Sequence, residues 1–237
     1  MSPAAWPGPH VWTRDPLVVF DTETTGLDPR NGHRVVELAL VRAERLRPVR
    51  ALATLLNPGR EALEAFRGSR AAEANRIDPA ELERAPRLWE IAGDVRNFVG
   101  ELPLMAYNAP FDVKFLRAEL LEILGSDALP RGLWREDDAL DPLVWVRDAD
   151  RFVRAAPYRA RGLKRHCLAA AAERRGLAPE GELHRAETDA RLLLDLARTL
   201  ARERSIGGWT VRLLRRQAAR RAAQDAERRA YYERRRV

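Results

Sequence analysis

The sequence predicts an α/β protein with a mixed β-sheet flanked by helices. Three strand-like segments follow one another through short connections near the N-terminus, a pattern typical of an antiparallel meander. Further along, strand-like and helix-like segments alternate, which favours added strands with helices on the faces of the sheet. The chain has 237 residues and 46% of them are hydrophobic, so it can bury the core of one sizeable domain.

The individual elements are predicted from apolar periodicity and turn residues. Strands are expected at 17–23, 34–42, 51–56 and 102–107, with a short fifth strand at 139–140. Helices are expected at 79–99, 110–124, 162–175 and 187–204. Asp141 and Pro142 predict the N-cap and the first residue of one more helix, because Asp caps helices well and Pro fits their first turn.

Composition and charge divide the chain into three parts. Residues 1–14 are rich in Pro and Trp and are expected to form a flexible N-terminal arm, and residues 15–204 are expected to form the main domain. Residues 1–203 hold 31 basic and 32 acidic side chains, whereas residues 204–237 hold 11 Arg and three acids. The tail, 205–237, therefore carries the whole positive excess of the chain.

The Arg-rich tail is predicted to be helical. Val211, Leu214 and four alanines fall on one helical stripe, which is too small to dock firmly on the domain. We therefore expect a solvent-exposed basic helix that begins after a hinge at Gly207 and Gly208. A basic helix of this kind binds polyanions through counterion release, so nucleic acid is an expected partner.

Composition also excludes several classes of protein. Cys167 is the single cysteine, so no internal disulfide can form, and there is no Cys/His cluster that would suit zinc. No apolar run reaches the roughly 20 residues that a bilayer crossing requires. The N-terminus lacks the layout of a signal peptide, so we expect a cytoplasmic protein with no membrane partner.

Acidic residues stand at positions where the apolar faces of the elements should continue. Asp21 and Glu23 share one face of the first strand with apolar residues, because side chains alternate along a strand. They emerge at the carboxyl end of that strand, where ligands bind in open α/β sheets. Asp112 and Asp189 each begin the apolar stripe of a later helix, so all four acids are expected at the edge of the core.

Four such carboxylates would repel one another and keep their protons unless cations joined them. Carboxylate oxygens suit Mg²⁺ or Mn²⁺, and two such ions can hold the attacking and leaving oxygens of a phosphodiester in line. His184 precedes Asp189 by five residues and could take a proton from the attacking water. Taken singly, Asp112 or Asp189 is better explained as a helix N-cap; their occurrence together with Asp21 and Glu23 favours a site for two Mg²⁺ ions.

Three further charged residues receive separate interpretations. Glu37, inside the second strand, is interpreted as a buried, hydrogen-bonded acid that is not a metal ligand. Asp141 is interpreted as a helix cap. Arg185, beside His184, is left open as a contact for a substrate phosphate.

Three motifs resemble those of the DEDDh 3′-5′ exonucleases, the group that includes the proofreading epsilon subunit of bacterial DNA polymerase III. The motifs are FDTETTGL at 20–27, YNAPFDVKFL at 107–116 and HRAETDA at 184–190. Their order and spacing agree with the family over about residues 15 to 203. The resemblance implies a ribonuclease-H-like fold with a central mixed sheet of five strands, and removal of nucleotides from a 3′ end.

The resemblance also implies a role for each matching residue. The metal ligands would be Asp21, Glu23, Asp112 and Asp189, with Asp21 bridging both ions, and His184 would be the general base. The substrate contacts would come from Thr24, Thr25, Gly26, Leu27, Asn108 and Phe111. Tyr107 stands where many relatives have His, and residues 75–78 replace the usual His-Gly-Ile segment, so substrate fit is expected to differ there.

The expected function is metal-dependent 3′-5′ hydrolysis of single-stranded or frayed nucleic acid, with DNA favoured, in polymerase proofreading or DNA repair. A DNA polymerase subunit bound through the tail is a second expected partner. The alternatives are an RNA-trimming exoribonuclease, a non-catalytic nucleic-acid-binding adaptor, and an endonuclease of the ribonuclease H type. The presence of all four acids and His184 argues against the adaptor, and a circular substrate would separate the endonuclease.

Overall fold

The computed structural model describes residues 10–135, 137–204 and 210–233. Its strands are β1 (Leu17–Thr24), β2 (Val35–Glu44), β3 (Arg47–Leu55) and β4 (Leu104–Met105). Its α-helices are α1 (Arg60–Phe66), α2 (Arg70–Asn75), α3 (Pro79–Arg84), α4 (Leu88–Val99), α5 (Ala109–Leu124), α6 (Pro142–Ala149), α7 (Ala156–Arg159), α8 (Leu168–Glu173), α9 (Ala186–Arg204) and α10 (Thr210–Glu233). Two 3₁₀ helices cover Pro29–Asn31 and Arg131–Leu133.

The strands form one mixed sheet in the order β3-β2-β1-β4. The pairs β1–β2 and β2–β3 are antiparallel, which confirms the predicted meander. β4 lies parallel to β1, with Val18 opposite Leu104. β3 is an edge strand, and its first half, which includes Arg47, Pro48 and Arg50, is exposed.

Helices cover both faces of the sheet because alternate residues of β1 point to opposite sides. Leu17 and Val19 pack with residues of α6, α9 and α10 on one face. Val18 and Phe20 pack with residues of α4 and α5 on the other face. The predicted α/β class with helices on both faces is therefore confirmed.

The expectation of five strands was wrong for the part of the chain that the structure describes. Residues 139–140 contribute a single parallel bridge between Leu140 and Met105. The pairing cannot continue because the backbone N–H of Asp141 donates to Oε1 of Gln217 over 2.7 Å, and Pro142 has no N–H. The side chain of Asp141 then caps α6 by accepting from the N–H of Leu143, as the sequence predicted.

Two of the predicted helices are interrupted. The segment 79–99 splits into α3 and α4, because Pro86 forces the preceding Ala85 into an extended conformation. The segment 162–175 is helical only from Leu168 onward. Gly162 has a φ of +73°, a conformation incompatible with a right-handed helix, and Arg165 bonds back to the carbonyl of Val153.

The described part of the N-terminal arm is packed on the domain, whereas the sequence led us to expect a flexible segment. The side chain of Trp12 is fully buried, and its ring lies 5.1 Å from that of Trp145 in α6. His10 contacts the carbonyl oxygen of Pro16 and the hydroxyl of Thr210, each at 2.8 Å. A single indole buries enough apolar area to fix a short segment. Residues 1–9 lie outside the described residues.

The tail helix α10 is also docked, contrary to the expectation of a solvent-exposed helix. Gln217 is 2% exposed; it accepts from the N–H of Asp141 and donates to the carbonyl of Ala139. Arg221 pairs with the buried Asp141 at 3.0 Å. Polar anchors therefore hold α10 where an alanine-rich stripe alone would not. The predicted hinge at Gly207 and Gly208 lies outside the described residues.

None of the described helices combines the length and the apolar character that a bilayer crossing requires.

Glu119 on α5 is expected to make stability depend on pH. It accepts a hydrogen bond from the N–H of Val35, and burial raises its pKa from 4.5 to about 7. Because the folded-state pKa lies above the unfolded one, the carboxyl group costs stability as pH rises from 4.5 to 7. Relative to wild type, Glu119→Gln is expected to be about 2 kcal/mol more stable at pH 8 and unchanged at pH 4.5.

Urea denaturation at both pH values measures this difference. Glu61→Gln, at an exposed position of α1, is the matched control and is expected to behave as wild type at both pH values. An equal effect of Glu119→Gln at pH 4.5 and pH 8 would contradict the prediction.

Candidate active site

The carboxyl end of β1 carries two acids on the face that packs against α9. Asp21 and Glu23 continue the face that begins with Leu17 and Val19, and both are partly buried. Glu23 lies directly opposite Glu37 of β2, and the pairing of β1 with β2 becomes irregular immediately after Glu23. Like charges opposite one another destabilise a sheet, so this arrangement requires nearby positive charge.

Asp112 reaches the same point from the first turn of α5, on the other side of the sheet. Its Oδ1 accepts hydrogen bonds from the N–H and the hydroxyl of Thr22, at 3.1 and 2.7 Å. Thr22 lies between the two acids of β1, so these bonds fix the carboxylate of Asp112 beside them. The side chain of Asp112 is buried, at 3% exposure.

Asp189 and His184 come from the start of α9 and the turn before it. Oδ2 of Asp189 accepts from the backbone N–H of His184 at 3.3 Å. His184 has a φ of +64°, which a non-glycine residue rarely adopts, and its side chain is exposed. One ligand atom from each of Glu23, His184 and Asp189 lies within 4.8 Å of the other two.

Burial and nearby negative charges raise the pKa values of all four predicted acids. Burial raises the pKa of Asp21 well above its usual range, and the charges of Asp112, Glu23 and Asp189 raise it further. For Glu23, burial and the charge of Asp189 raise the pKa to about 9. Burial raises the pKa of Asp112 to about 7 and that of Asp189 to about 6. The structure therefore brings the four carboxyl groups within electrostatic reach of one another.

The acidic cluster fits divalent cations. Oδ1 of Asp189 is buried and has no hydrogen-bond partner among the described residues, which is costly unless a cation or a proton joins it. The surrounding donors are carboxylate oxygens, which hard cations prefer. A positive ion would also remove the repulsion that raises the pKa values of the acids. Among the described residues, the group whose ligand atoms lie close enough together to hold an ion is Glu23, His184 and Asp189.

Glu37 supports the turn that carries His184. It is 5% exposed and accepts from Nε and Nη2 of Arg185, at 3.1 and 3.0 Å, and from the N–H of Ala186 at 3.1 Å. These three bonds fasten the N-terminus of α9 to β2. Arg185 therefore neutralises Glu37, which was interpreted from the sequence as a buried, hydrogen-bonded acid.

The predicted substrate loop follows β1 directly. Leu27 is 77% exposed, whereas Thr24 and Thr25 are buried and bonded within the loop. A Cβ atom on Gly26 would lie 2.3 to 2.5 Å from the ring of His33, so a larger residue would require that ring to move. Asn75 donates to the carbonyl of Thr24 at 3.2 Å, so the segment that departs from the family supports this loop.

Asn108 and Phe111 lie at the beginning of α5, close to Asp112. Asn108 is the N-cap of α5 in a left-handed conformation with a φ of +66°, and its N–H donates to Asp141. Lys114 lies 5.4 Å from the centre of the Phe111 ring and donates to the carbonyl of Leu27. Sequence reasoning missed Lys114 and His33, because a single Lys or His in a motif gives no signal about which loop it contacts.

The fold and the site define a class, the nucleases of the ribonuclease-H-like fold with an acidic metal centre. The model of the exonuclease family (RNase_T) matches residues 18–197, and the chain belongs to this family. It therefore carries the domain of a nuclease hydrolase.

Proteins with related sequences include a subunit of DNA polymerase III and a PolC-type DNA polymerase III. The chain is 36% identical over 132 residues to DNA polymerase III subunit epsilon of Rickettsia conorii, covering 55% of this chain and 54% of that protein. It is 29% identical over 176 residues to the PolC-type DNA polymerase III of Thermotoga maritima, covering 74% of this chain and 11% of that protein. The chain thus spans about half the length, or less, of the curated relatives it matches.

Solved structures of exonucleases share the fold. Exonuclease I from Methylocaldum szegediense has a TM-score of 0.61 at 22% identity, covering 84% of this chain and 42% of that one. Exonuclease X in complex with 5′ overhanging duplex DNA has a TM-score of 0.56 at 20% identity, covering 84% of this chain and 96% of that one. At these identities the likeness establishes the ribonuclease-H-like fold.

Proposed function

We propose that this chain is a divalent-metal-dependent 3′-5′ exonuclease that acts on single-stranded or frayed DNA. The observation that carries the proposal is the convergence of Asp21, Glu23, Asp112 and Asp189 at the end of β1. These acids are desolvated and mutually repulsive, a costly arrangement that a cation-binding function explains. Membership of the exonuclease family supports the same activity.

The acids and the residues around them have different roles in the proposed hydrolysis. Two Mg²⁺ ions, or Mn²⁺ in their place, would activate a water molecule and stabilise the charge that develops on the leaving 3′ oxygen. His184 is exposed beside Asp189 and is available to accept the proton of the attacking water. Glu37 and Arg185 hold His184 in position by fastening the start of α9.

The requirement for a free 3′ end is assigned to the loop after β1. Leu27 projects into solvent, where its side chain can pack on the terminal base, and Gly26 lets the loop pack closely against the ring of His33. Thr24 and Thr25 fix the loop from within, and the opposite side of the site is assigned to Asn108 and Phe111 at the start of α5. A site closed on these two sides would admit a chain end and exclude a continuous strand.

Proofreading beside a DNA polymerase is the biological role that the epsilon relatives favour. The polymerase would bind the exposed side of α10, where Arg212, Arg215 and Arg216 form no ion pair with any described residue. If the chain shortened RNA faster than DNA, RNA would replace DNA as the proposed substrate. The cytoplasmic location expected from the sequence stays a prediction.

The proposal is tested with a 5′-labelled single-stranded oligodeoxynucleotide and Mg²⁺. We expect a ladder of products shortened from the 3′ end, abolished by EDTA and restored by excess Mg²⁺ or Mn²⁺. A circular single strand of the same sequence should remain intact, because it offers no 3′ end. Cleavage of the circle would identify an endonuclease, and faster shortening of the matching oligoribonucleotide would replace DNA by RNA as the substrate.

A further inference from the structure

A second polar pocket lies next to the acidic cluster, between α10, α6 and the start of α5. Its volume is about 290 Å³, and the walls include Asn108, Asp141, Arg147, Arg221 and Arg228. Three guanidinium groups in one pocket are unusual for a structural role, because each has five N–H donors that need acceptors. None of the roles assigned above uses these three arginines for chemistry.

Arg147 is a partly buried cation on the wall of this pocket. It makes no hydrogen bond and no ion pair with any residue that the structure describes. Burial and the charge of Arg228 lower its pKa, whereas the charges of Asp141 and Asp225 raise it. A desolvated guanidinium beside a second one is costly, and an anion placed between them would offset that cost.

Arg221 offers further donors in the same pocket. Its Nη2 donates to the buried Asp141 at 3.0 Å and its Nη1 lies 3.5 Å from Asp137, whereas its buried Nε and Nη1 form no hydrogen bond with a described residue. The planar guanidinium presents such N–H groups in a geometry that suits two oxygens of one phosphate.

The acids that line the pocket are already engaged. Asp141 accepts from the N–H groups of Asn108 and Leu143 as well as from Arg221. The other two aspartates of the pocket each face an arginine: Asp137 lies 3.5 Å from Arg221, and Asp225 lies 3.0 Å from Arg228. The lining thus holds three aspartates and three arginines, and Arg147 is the arginine among them that forms no ion pair with a described residue.

The pocket adjoins the proposed catalytic centre. Asn108 lines the pocket and caps α5, and Asp112 follows in the first turn of that helix. The N–H of Asn108 donates to Asp141 in the pocket wall at 2.9 Å, which joins the pocket to the start of the helix that carries Asp112. A nucleic-acid strand whose 3′ end meets the acids can thus place an upstream phosphate at Arg147.

We propose that this pocket binds a backbone phosphate of the nucleic-acid strand, with Arg147 and Arg221 as its donors. The identity of the strand rests on the proposed exonuclease function, whereas the preference for a phosphate rests on the pocket itself. In consequence α10 forms one wall of the substrate cleft. Arg221 would both anchor α10 through Asp141 and donate to the phosphate of the nucleic-acid strand.

The test measures the Kd of a 5′-fluorescein-labelled oligodeoxynucleotide by fluorescence anisotropy in EDTA, over a series of NaCl concentrations. Arg147→Gln is expected to raise the Kd about tenfold and to reduce the slope of log Kd against log salt by about one. Arg96→Gln removes the same charge from an exposed position of α4 and is expected to change the Kd less than twofold. A wild-type Kd and slope for Arg147→Gln would overturn the proposal.

A second arm identifies the source of the phosphate. Inorganic phosphate and a deoxynucleoside monophosphate are each added to wild type and to Arg147→Gln, and the melting temperature is recorded. A stabilisation lost in Arg147→Gln, with unchanged oligonucleotide binding, would assign the pocket to a free phosphate and overturn the strand assignment. Because EDTA prevents cation-dependent cleavage, these results do not depend on the outcome of the ladder assay.

Discussion

Replacing Asp21 with Asn is expected to abolish 3′-end hydrolysis and, at the same time, to make the cation-free protein more stable. Asp21 is surrounded by Asp112, Glu23 and Asp189, and all of them raise its pKa. Asn keeps the shape but removes the charge that a divalent cation requires, so the rate should fall by at least about a thousandfold. The loss should be equal with Mg²⁺ and Mn²⁺.

The gain in stability follows from the direction of the pKa shift. A carboxyl group with a raised folded-state pKa destabilises the protein above its unfolded pKa, and neutral Asn removes that cost. In EDTA at pH 8 the free energy of unfolding of Asp21→Asn is expected to exceed that of wild type by about 1 to 3 kcal/mol. Near pH 4, where the unfolded carboxyl group is protonated in half of the molecules, the difference should disappear.

The control is Asp94→Asn, at an exposed position on α4. It should leave both the hydrolysis rate and the free energy of unfolding unchanged. Chemical denaturation in EDTA and the oligonucleotide ladder provide the two measurements. If Asp21→Asn retained more than a tenth of the wild-type rate, the metal-site assignment would fail; if it were less stable than wild type in EDTA, the electrostatic argument would fail.

Removing α10 is expected to destabilise the whole domain by at least about 3 kcal/mol. A chain that ends at Arg204 would leave the N–H of Asp141 and the carbonyl of Ala139 without the side chain of Gln217. The buried carboxylate of Asp141 would also lose Arg221. Each unsatisfied buried group costs roughly 1 to 3 kcal/mol, and an unpaired buried charge costs more.

Point variants separate these contributions. Gln217→Ala should lose about 2 kcal/mol, whereas Arg216→Ala, exposed at the preceding position, should change stability by less than about 0.5 kcal/mol. Guanidinium denaturation followed by circular dichroism measures all three proteins. A shortened chain with the denaturation midpoint of wild type would mean that α10 is a separate appendage, as the sequence alone suggested.

The four acids could be located from the sequence because each interrupts an otherwise apolar pattern. Asp21 and Glu23 do so with the two-residue period of a strand, and Asp112 and Asp189 with the period of a helix. Three motifs with the order and spacing of the family then indicated the family and its fold. These observations predicted β1, the meander and the composition of the acidic cluster, because all of them depend on local periodicity.

The docking of the two chain ends could not be predicted in the same way. Gln217 is one polar residue in an Arg- and Ala-rich helix. It stabilises the docked helix by hydrogen bonds to the backbone groups of Asp141 and Ala139, which are remote in sequence. Trp12 stands in a Pro-rich segment that resembles a linker, yet its ring fills a gap beside Trp145. Gln217 and Trp12 each make tertiary contacts through a single side chain, and the apolar periodicity of a sequence cannot predict such contacts.

The edge strand β3 has a consequence for behaviour at high concentration. An open strand edge offers unpaired backbone groups to which the strand of another molecule can add, the first step of β-aggregation. In β3 the exposed first half contains Arg47, Pro48 and Arg50. Pro48 has no N–H to donate, and the two arginines would meet like charges on a second copy. The sheet is therefore protected against growth from molecule to molecule at this edge.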